Sequence, residues 1–122
     1  MAEGYHNNFG SYKSIDNIVT YDSSVTGNSN ITIYGGAVAR LTLEFTKSNL
    51  TSGATIGYID GAYLQKGGRI TTPVVDDGAG TVSGGSLYIN FGATGLGIRY
   101  YGPTTSNKLY AECTYILNNP IN

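Results

Sequence analysis

Charge is scarce in this chain. Of 122 residues, seven are Lys or Arg and eight are Asp or Glu, 12% in all, for a formal net charge of −1. Without a basic excess there is little to neutralise a phosphate backbone, which argues against a nucleic-acid partner. The single cysteine, Cys113, cannot close an intrachain disulfide. The single histidine, His6, lies in a polar N-terminal stretch and offers that thiol no basic partner. There is no His pair and no Cys cluster to hold a metal. A G-x-S-x-G elbow, a P-loop and a dinucleotide fingerprint are all missing, so no cofactor and no enzymatic activity are expected. No apolar run is long enough to span a bilayer, so membrane insertion is not expected. The opening MAEGYHNNFG lacks an apolar signal core, which points to cytosolic synthesis and leaves the final site of action open. Ala, Leu, Glu and Lys, the favoured helix formers, are few.

What the chain does have is glycine and tyrosine, 18 and 11 residues, with abundant Ser, Thr and Asn. That mixture suits many short strands joined by turns. The length fits one domain with a small core. The clearest strand is Ala37 to Thr46: Ala39, Leu41, Leu43 and Phe45 share one face, and Arg40, Thr42 and Glu44 the other. Lys108 to Leu117 repeats the pattern, with Leu109, Ala111, Cys113, Tyr115 and Leu117 inward, so Cys113 reads as a small buried hydrophobe. Shorter strands are expected at Ile31–Tyr34 and Thr55–Ile59, with an edge strand around Ile15 to Tyr21. Ser23–Asn30 reads as a loop, Asp60-Gly61 as a turn, Lys66–Arg69 as a glycine-basic turn and Asp76–Gly80 as a solvated loop. Pro73 is expected at a strand start or on an edge. The sum is an all-β fold, a compact antiparallel barrel or sandwich of seven or eight short strands. Residues 1–29 form an arm or edge strand, and 30–122 the domain proper.

Gly84 to Thr105 is the stretch of most functional interest. Leu87, Ile89 and Phe91 alternate with Tyr88 and Asn90. Glycines at 92, 95 and 97 turn the chain, and Ile98 to Tyr101 resumes the alternation. The polar side carries Tyr88, Asn90, Arg99 and Tyr101, to which the last strand adds Tyr110 and Glu112. Tyrosine is a rigid surface with a polar tip, suited to the C–H faces and hydroxyls of sugars. The same tyrosines equally suit a subunit interface. Tyr100 and Tyr101 cannot both face outward on a regular strand. Tyr101 is the expected ligand contact, and Arg99 a rim contact. Glu44 and Glu112 could in principle form a glycosidase pair, but both occupy outward strand positions, where a charged residue is the default.

Three pieces of this sequence resemble the C-terminal head domain of receptor-binding proteins from the baseplates of phages of lactococci and related Gram-positive bacteria. They are AYLQKGGRITTPVV (Ala62–Val75), Tyr100-Tyr101-Gly102-Pro103-Thr104, and Thr114-Tyr115 followed by Pro120-Ile121-Asn122. The resemblance covers Asn30 to Asn122. It implies a β-barrel head, a homotrimer, other baseplate or tail proteins as partners, and a place on the virion tail tip. It also implies weak multivalent attachment to a host cell-wall polysaccharide or phosphopolysaccharide. The family site uses a His-x-Asp pair, an aromatic beside the Gly-Pro-Thr turn and an Arg on the last strand. The matching positions here are Tyr88 and Asn90, Tyr101, and Tyr110 or Lys108, so only the aromatic is kept in kind and a different sugar is implied. Such proteins carry shoulder and neck segments before the head, so this chain is expected to be either a trimmed piece or a compact variant. The alternative is a structural baseplate or tail-fibre module whose tyrosine face is a subunit interface.

Overall fold

The computed structural model describes residues 12–63, 65, 68–76, 81–91 and 97–121. His6, the Lys66-Gly67 part of the basic turn, most of the loop after Asp76 and the turn at 92–96 lie outside the described residues. The chain folds into nine strands: β1 (Tyr12–Asp16), β2 (Val19–Tyr21), β3 (Thr26–Tyr34), β4 (Val38–Thr46), β5 (Thr55–Ile59), β6 (Arg69–Asp76), β7 (Thr81–Asn90), β8 (Ile98–Tyr101) and β9 (Leu109–Ile116), with a 3-10 turn at Gly61–Tyr63. All belong to one antiparallel sheet in the order β1-β3-β4-β9-β6-β7-β8-β5-β2. The sheet curls into a half-barrel. Its two ends approach one another: Val19 N donates to Ser29 Oγ at 3.1 Å and the Tyr21 hydroxyl donates to Asn28 O. The expected all-β class is therefore observed.

Period-2 alternation sets which face fills the barrel. Ala39, Leu41, Leu43 and Phe45 of β4, Leu87 and Ile89 of β7, Ile98 and Tyr100 of β8, and Leu109 and Ala111 of β9 are each 1% exposed or less. Each large aliphatic side chain so buried contributes about 1.5–3 kcal/mol. Cys113 is half-buried against this core, and burial, with the Glu112 charge adding, pushes its thiol up to about 11. Tyr100 is the largest fully buried side chain, and its hydroxyl donates to Pro103 O at 2.5 Å. Room for its ring comes from a glycine: a Cβ on Gly85 would lie 2.7 Å from Tyr100 Cε1.

Two expectations need correction. Thr26 to Asn30, read as loop, is the first half of β3, paired residue by residue with β4 from Thr26↔Thr46 to Asn30↔Thr42. Its residues are polar because the outward side is wet and because inward Ser29 has a partner in Val19 N; long-range pairing decides the conformation where local composition suggests a turn. Pro73 sits inside β6 rather than at its start or on an edge. The pairing of β6 with β7 slips between Pro73 and Val75, and β9 pairs with β6 only at Val75 and Asp76. A bulge where one side of the ladder is unfilled is where a strand tolerates a residue without an N–H.

From Tyr12 onward, the chain before Asn30 joins the same sheet. β1 pairs with β3 and forms one edge, and β2 pairs with β5 and forms the other.

Candidate functional site

The outward residues form rows across the strands, because partners in a ladder project to the same side. On β7 and β8, Tyr88 stands opposite Arg99 and Ser86 opposite Tyr101. The Tyr88 and Tyr101 rings meet edge to face, with centroids 6.3 Å apart and planes at 88°. Tyr101 is 43% exposed, while its neighbour Tyr100 is fully buried. The choice of Tyr101 as the outward member of the pair is thus the one the strand makes. Asn90 occupies the next outward position on β7, opposite Arg69 of β6.

Arg99 is held between Tyr88 of β7 and Thr55 of β5. Its Nε is buried and has no protein hydrogen-bond partner among the described residues. A buried donor left unmade is expensive, about 1–3 kcal/mol, and native proteins rarely leave one without a reason. Two other cations on this surface are matched. Arg40 Nε and Nη2 grip both carboxylate oxygens of Glu112 at 2.8 and 2.9 Å. Lys108 Nζ lies 2.8 Å from Glu44 Oε1.

Tyr110 and Glu112 do not adjoin the Tyr88–Tyr101 pair. They project from β9, which lies between β4 and β6, so β6 separates them from β7. Glu112 is engaged locally: it accepts from Arg40 and, at 2.7 Å, from the Tyr110 hydroxyl. These two donors hold its carboxyl down at about 2, against an ordinary 4.5. The Tyr110 phenol is raised, first by burial and then by this same hydrogen bond. Glu44 and Glu112 face different cations, Lys108 and Arg40 respectively.

Two further features of the outer surface carry no signal in composition alone. A shallow, open cavity of about 240 Å3 lies over β1, β3, β4 and β9, lined by Asp16, Asn28, Asn30, Thr42, Glu44 and Tyr110. Nearer the other end of these strands, Tyr12, Tyr34, Val38 and Ile116 form one cross-strand row, paired Tyr12↔Tyr34, Tyr34↔Val38 and Val38↔Ile116. All four are exposed, from 39% at Val38 to 69% at Tyr12. Alternation marks each as outward; only the strand order brings them together. Among the described residues no group of three or more His, Cys, Asp or Glu is placed to hold a metal.

Comparison of the sequence with protein-family models gives no match, and comparison with curated proteins gives none either.

Proposed function

We propose that this protein is a saccharide-binding module, the receptor-binding head of a phage or prophage tail tip or baseplate, and that it attaches to host cell-wall polysaccharide without catalysis. One observation carries the binding reading: Arg99 presents a buried Nε with no partner beside the edge-to-face pair of Tyr88 and Tyr101. An aromatic platform beside a half-buried guanidinium suits a sugar ring whose hydroxyls, or an anionic substituent, pair with the solvent-facing edge of that cation. The phage assignment rests on the resemblance of Ala62–Val75, Tyr100–Thr104 and the C-terminal strand and tail. A lone site of this kind binds at about millimolar strength, near −4 kcal/mol. A homotrimer, repeated around a tail tip, multiplies that by avidity. Titration calorimetry with purified host cell-wall polysaccharide tests it. Binding that is lost in Tyr88→Ala/Tyr101→Ala is expected; equal binding by that variant and the wild type refutes the site.

A second reading draws on the row Tyr12–Tyr34–Val38–Ile116. An exposed apolar row on an otherwise polar surface marks a contact site, here with further copies of the chain, and in this reading the module is chiefly structural. Light scattering separates the cases. A trimer that Ile116→Asp dissociates supports a subunit contact at this row, and a trimer that binds no saccharide favours the structural role over the adhesive one.

A further inference from the structure

We infer that the cavity over β1, β3, β4 and β9 is a second saccharide subsite, distinct from the Tyr88–Arg99–Tyr101 site, and that it takes a sugar unit rich in hydrogen-bond donors and free of anionic groups: a neutral or amino-bearing hexose. The inference rests on the reading of the protein as a saccharide binder and assigns this site a ligand chemistry of its own.

Two neighbouring cross-strand rows build the cavity. Asp16, Asn30 and Thr42 form one, and Asn28, Glu44 and Tyr110 the other. Its volume of about 240 Å3 is that of an open concavity, with room to seat one face of a six-membered ring. Two of the lining side chains, Glu44 and Tyr110, have partners within the protein. Lys108 holds Glu44 through Oε1, and Glu112, itself gripped by Arg40, holds the Tyr110 hydroxyl.

The donor inventory then decides the ligand. Both amide hydrogens of Asn30 are spent, on Ser14 Oγ at 2.8 Å and Asp16 Oδ1 at 2.9 Å. Thr42 Oγ1 donates to Asn30 O, and the Tyr110 proton goes to Glu112. Of the outward lining side chains only the Asn28 amide keeps donors to offer, the hydroxyl of Ser29 being turned inward toward Val19 N. The unused capacity is almost all acceptor: the second oxygens of Asp16 and Glu44, and the lone pairs of Thr42 and Tyr110. Carboxylates only accept. A ligand that satisfies this wall must donate, through hydroxyls or an ammonium group, with the Tyr110 ring as an apolar side. A phosphate or carboxylate on the ligand would face the Asp16 carboxylate and find only the Asn28 amide to donate to it, since the Lys108 ammonium is already engaged by Glu44. The chemistry is the reverse of that at Arg99, where the unmet group is a cationic donor.

Backbone amide shifts in NMR test this with three probes: chitotriose (neutral), the fully deacetylated glucosamine trimer (cationic) and trigalacturonate (anionic). Expected are shifts at Asn28, Asn30 and Tyr110 with the first two probes and none with the third. In Asp16→Asn/Glu44→Gln the glucosamine trimer should bind at least tenfold more weakly and the trigalacturonate exclusion should relax. Asp16 lies exposed on the edge strand, so Asp16→Asn alone serves as the variant if the double change disturbs folding. Equal shifts with trigalacturonate, unchanged affinity in the variants, or no shift at these amides with any probe would each overturn the inference. Host cell-wall polysaccharide read at Tyr88, Arg99 and Tyr101 reports on the broader reading separately: silence there refutes that reading, whereas shifts there with a silent cavity refute only the second subsite.

Discussion

Arg99→Met should make the free protein more stable and its ligand binding weaker. Arg99 is half-buried, with its stem between Tyr88 and Thr55 and its Nε sealed from solvent with no acceptor. Leaving a buried donor unpaired costs about 1–3 kcal/mol, more where the group is charged. Methionine keeps most of the apolar stem and removes the donor. Part of the penalty is already relieved by whatever of the guanidinium reaches water, so a net gain of about 1 kcal/mol is expected. For a chain of this size that raises Tm by about 4 °C. Binding moves the other way. A hydrogen bond to a charged group contributes about 1.5–3 kcal/mol, so Kd should rise about 10- to 100-fold. Thermal and urea unfolding measure the first effect, and calorimetric titration with host cell-wall saccharide the second. Arg40→Met is the internal comparison: that guanidinium already has both Glu112 oxygens, so its loss should give no gain in stability. If Arg99→Met lowers Tm, the guanidinium is a structural prop; if binding is unaffected, it is not a ligand group. Either result refutes the argument.

Tyr101→Ala should cost about 1 kcal/mol of stability, mostly the edge-to-face contact with Tyr88 of a ring 43% exposed, yet weaken saccharide binding more; unfolding and titration of one preparation check both. Tyr100→Phe should cost about 1 kcal/mol for the lost bond to Pro103 O, and Tyr100→Ala about 3–5 kcal/mol for the cavity, as read by urea denaturation. Glu112 has its carboxyl depressed to about 2 from an ordinary 4.5. The stability it contributes is therefore fully present above about 4.5 and lost as pH falls through about 2. Glu112→Gln should flatten that part of a Tm-against-pH curve between pH 5 and 2, with only a small amplitude because the group is exposed; parallel curves for the two proteins would contradict the pairing.

Strands with one apolar and one polar face were legible in the sequence. Ala39 to Phe45, Leu87 to Ile89 and Leu109 to Leu117 announce their buried sides by alternation, and the structure buries them. The front half of β3 was not legible. Thr-Gly-Asn-Ser-Asn carries turn chemistry, and it is strand because β4 supplies a ladder and Ser29 finds Val19 N across the barrel seam. The same limit split the candidate site. Tyr88, Tyr101 and Tyr110 are outward on the last three strands in chain order, but β9 inserts between β4 and β6 and carries Tyr110 and Glu112 away. Which side a residue faces is a local property with period two. Which outward residues meet is set by strand order, a non-local property that no window of sequence contains.

That division also bears on why the proposed site rests on an unmet hydrogen bond rather than on residue types. Arg40 and Arg99 are cations on outward strand positions and Lys108 immediately precedes β9, and in the sequence they look alike. Strand order gives Arg40 a Glu112 and Lys108 a Glu44, and it gives Arg99 a tyrosine and a threonine. Had the sheet been built for stability alone, an acceptor opposite Arg99 would cost nothing and remove the penalty at its Nε. Thr55 is the natural place for one: it is Arg99's partner on β5 and sits in a strand end that faces partly to solvent. Thr55→Glu should therefore stabilise the free protein by pairing Arg99 internally, and by the same act compete with the ligand for it. A gain in Tm accompanied by weaker saccharide binding is expected. A gain in Tm with binding unchanged would show that Arg99 serves no ligand, and would move the candidate site away from β8.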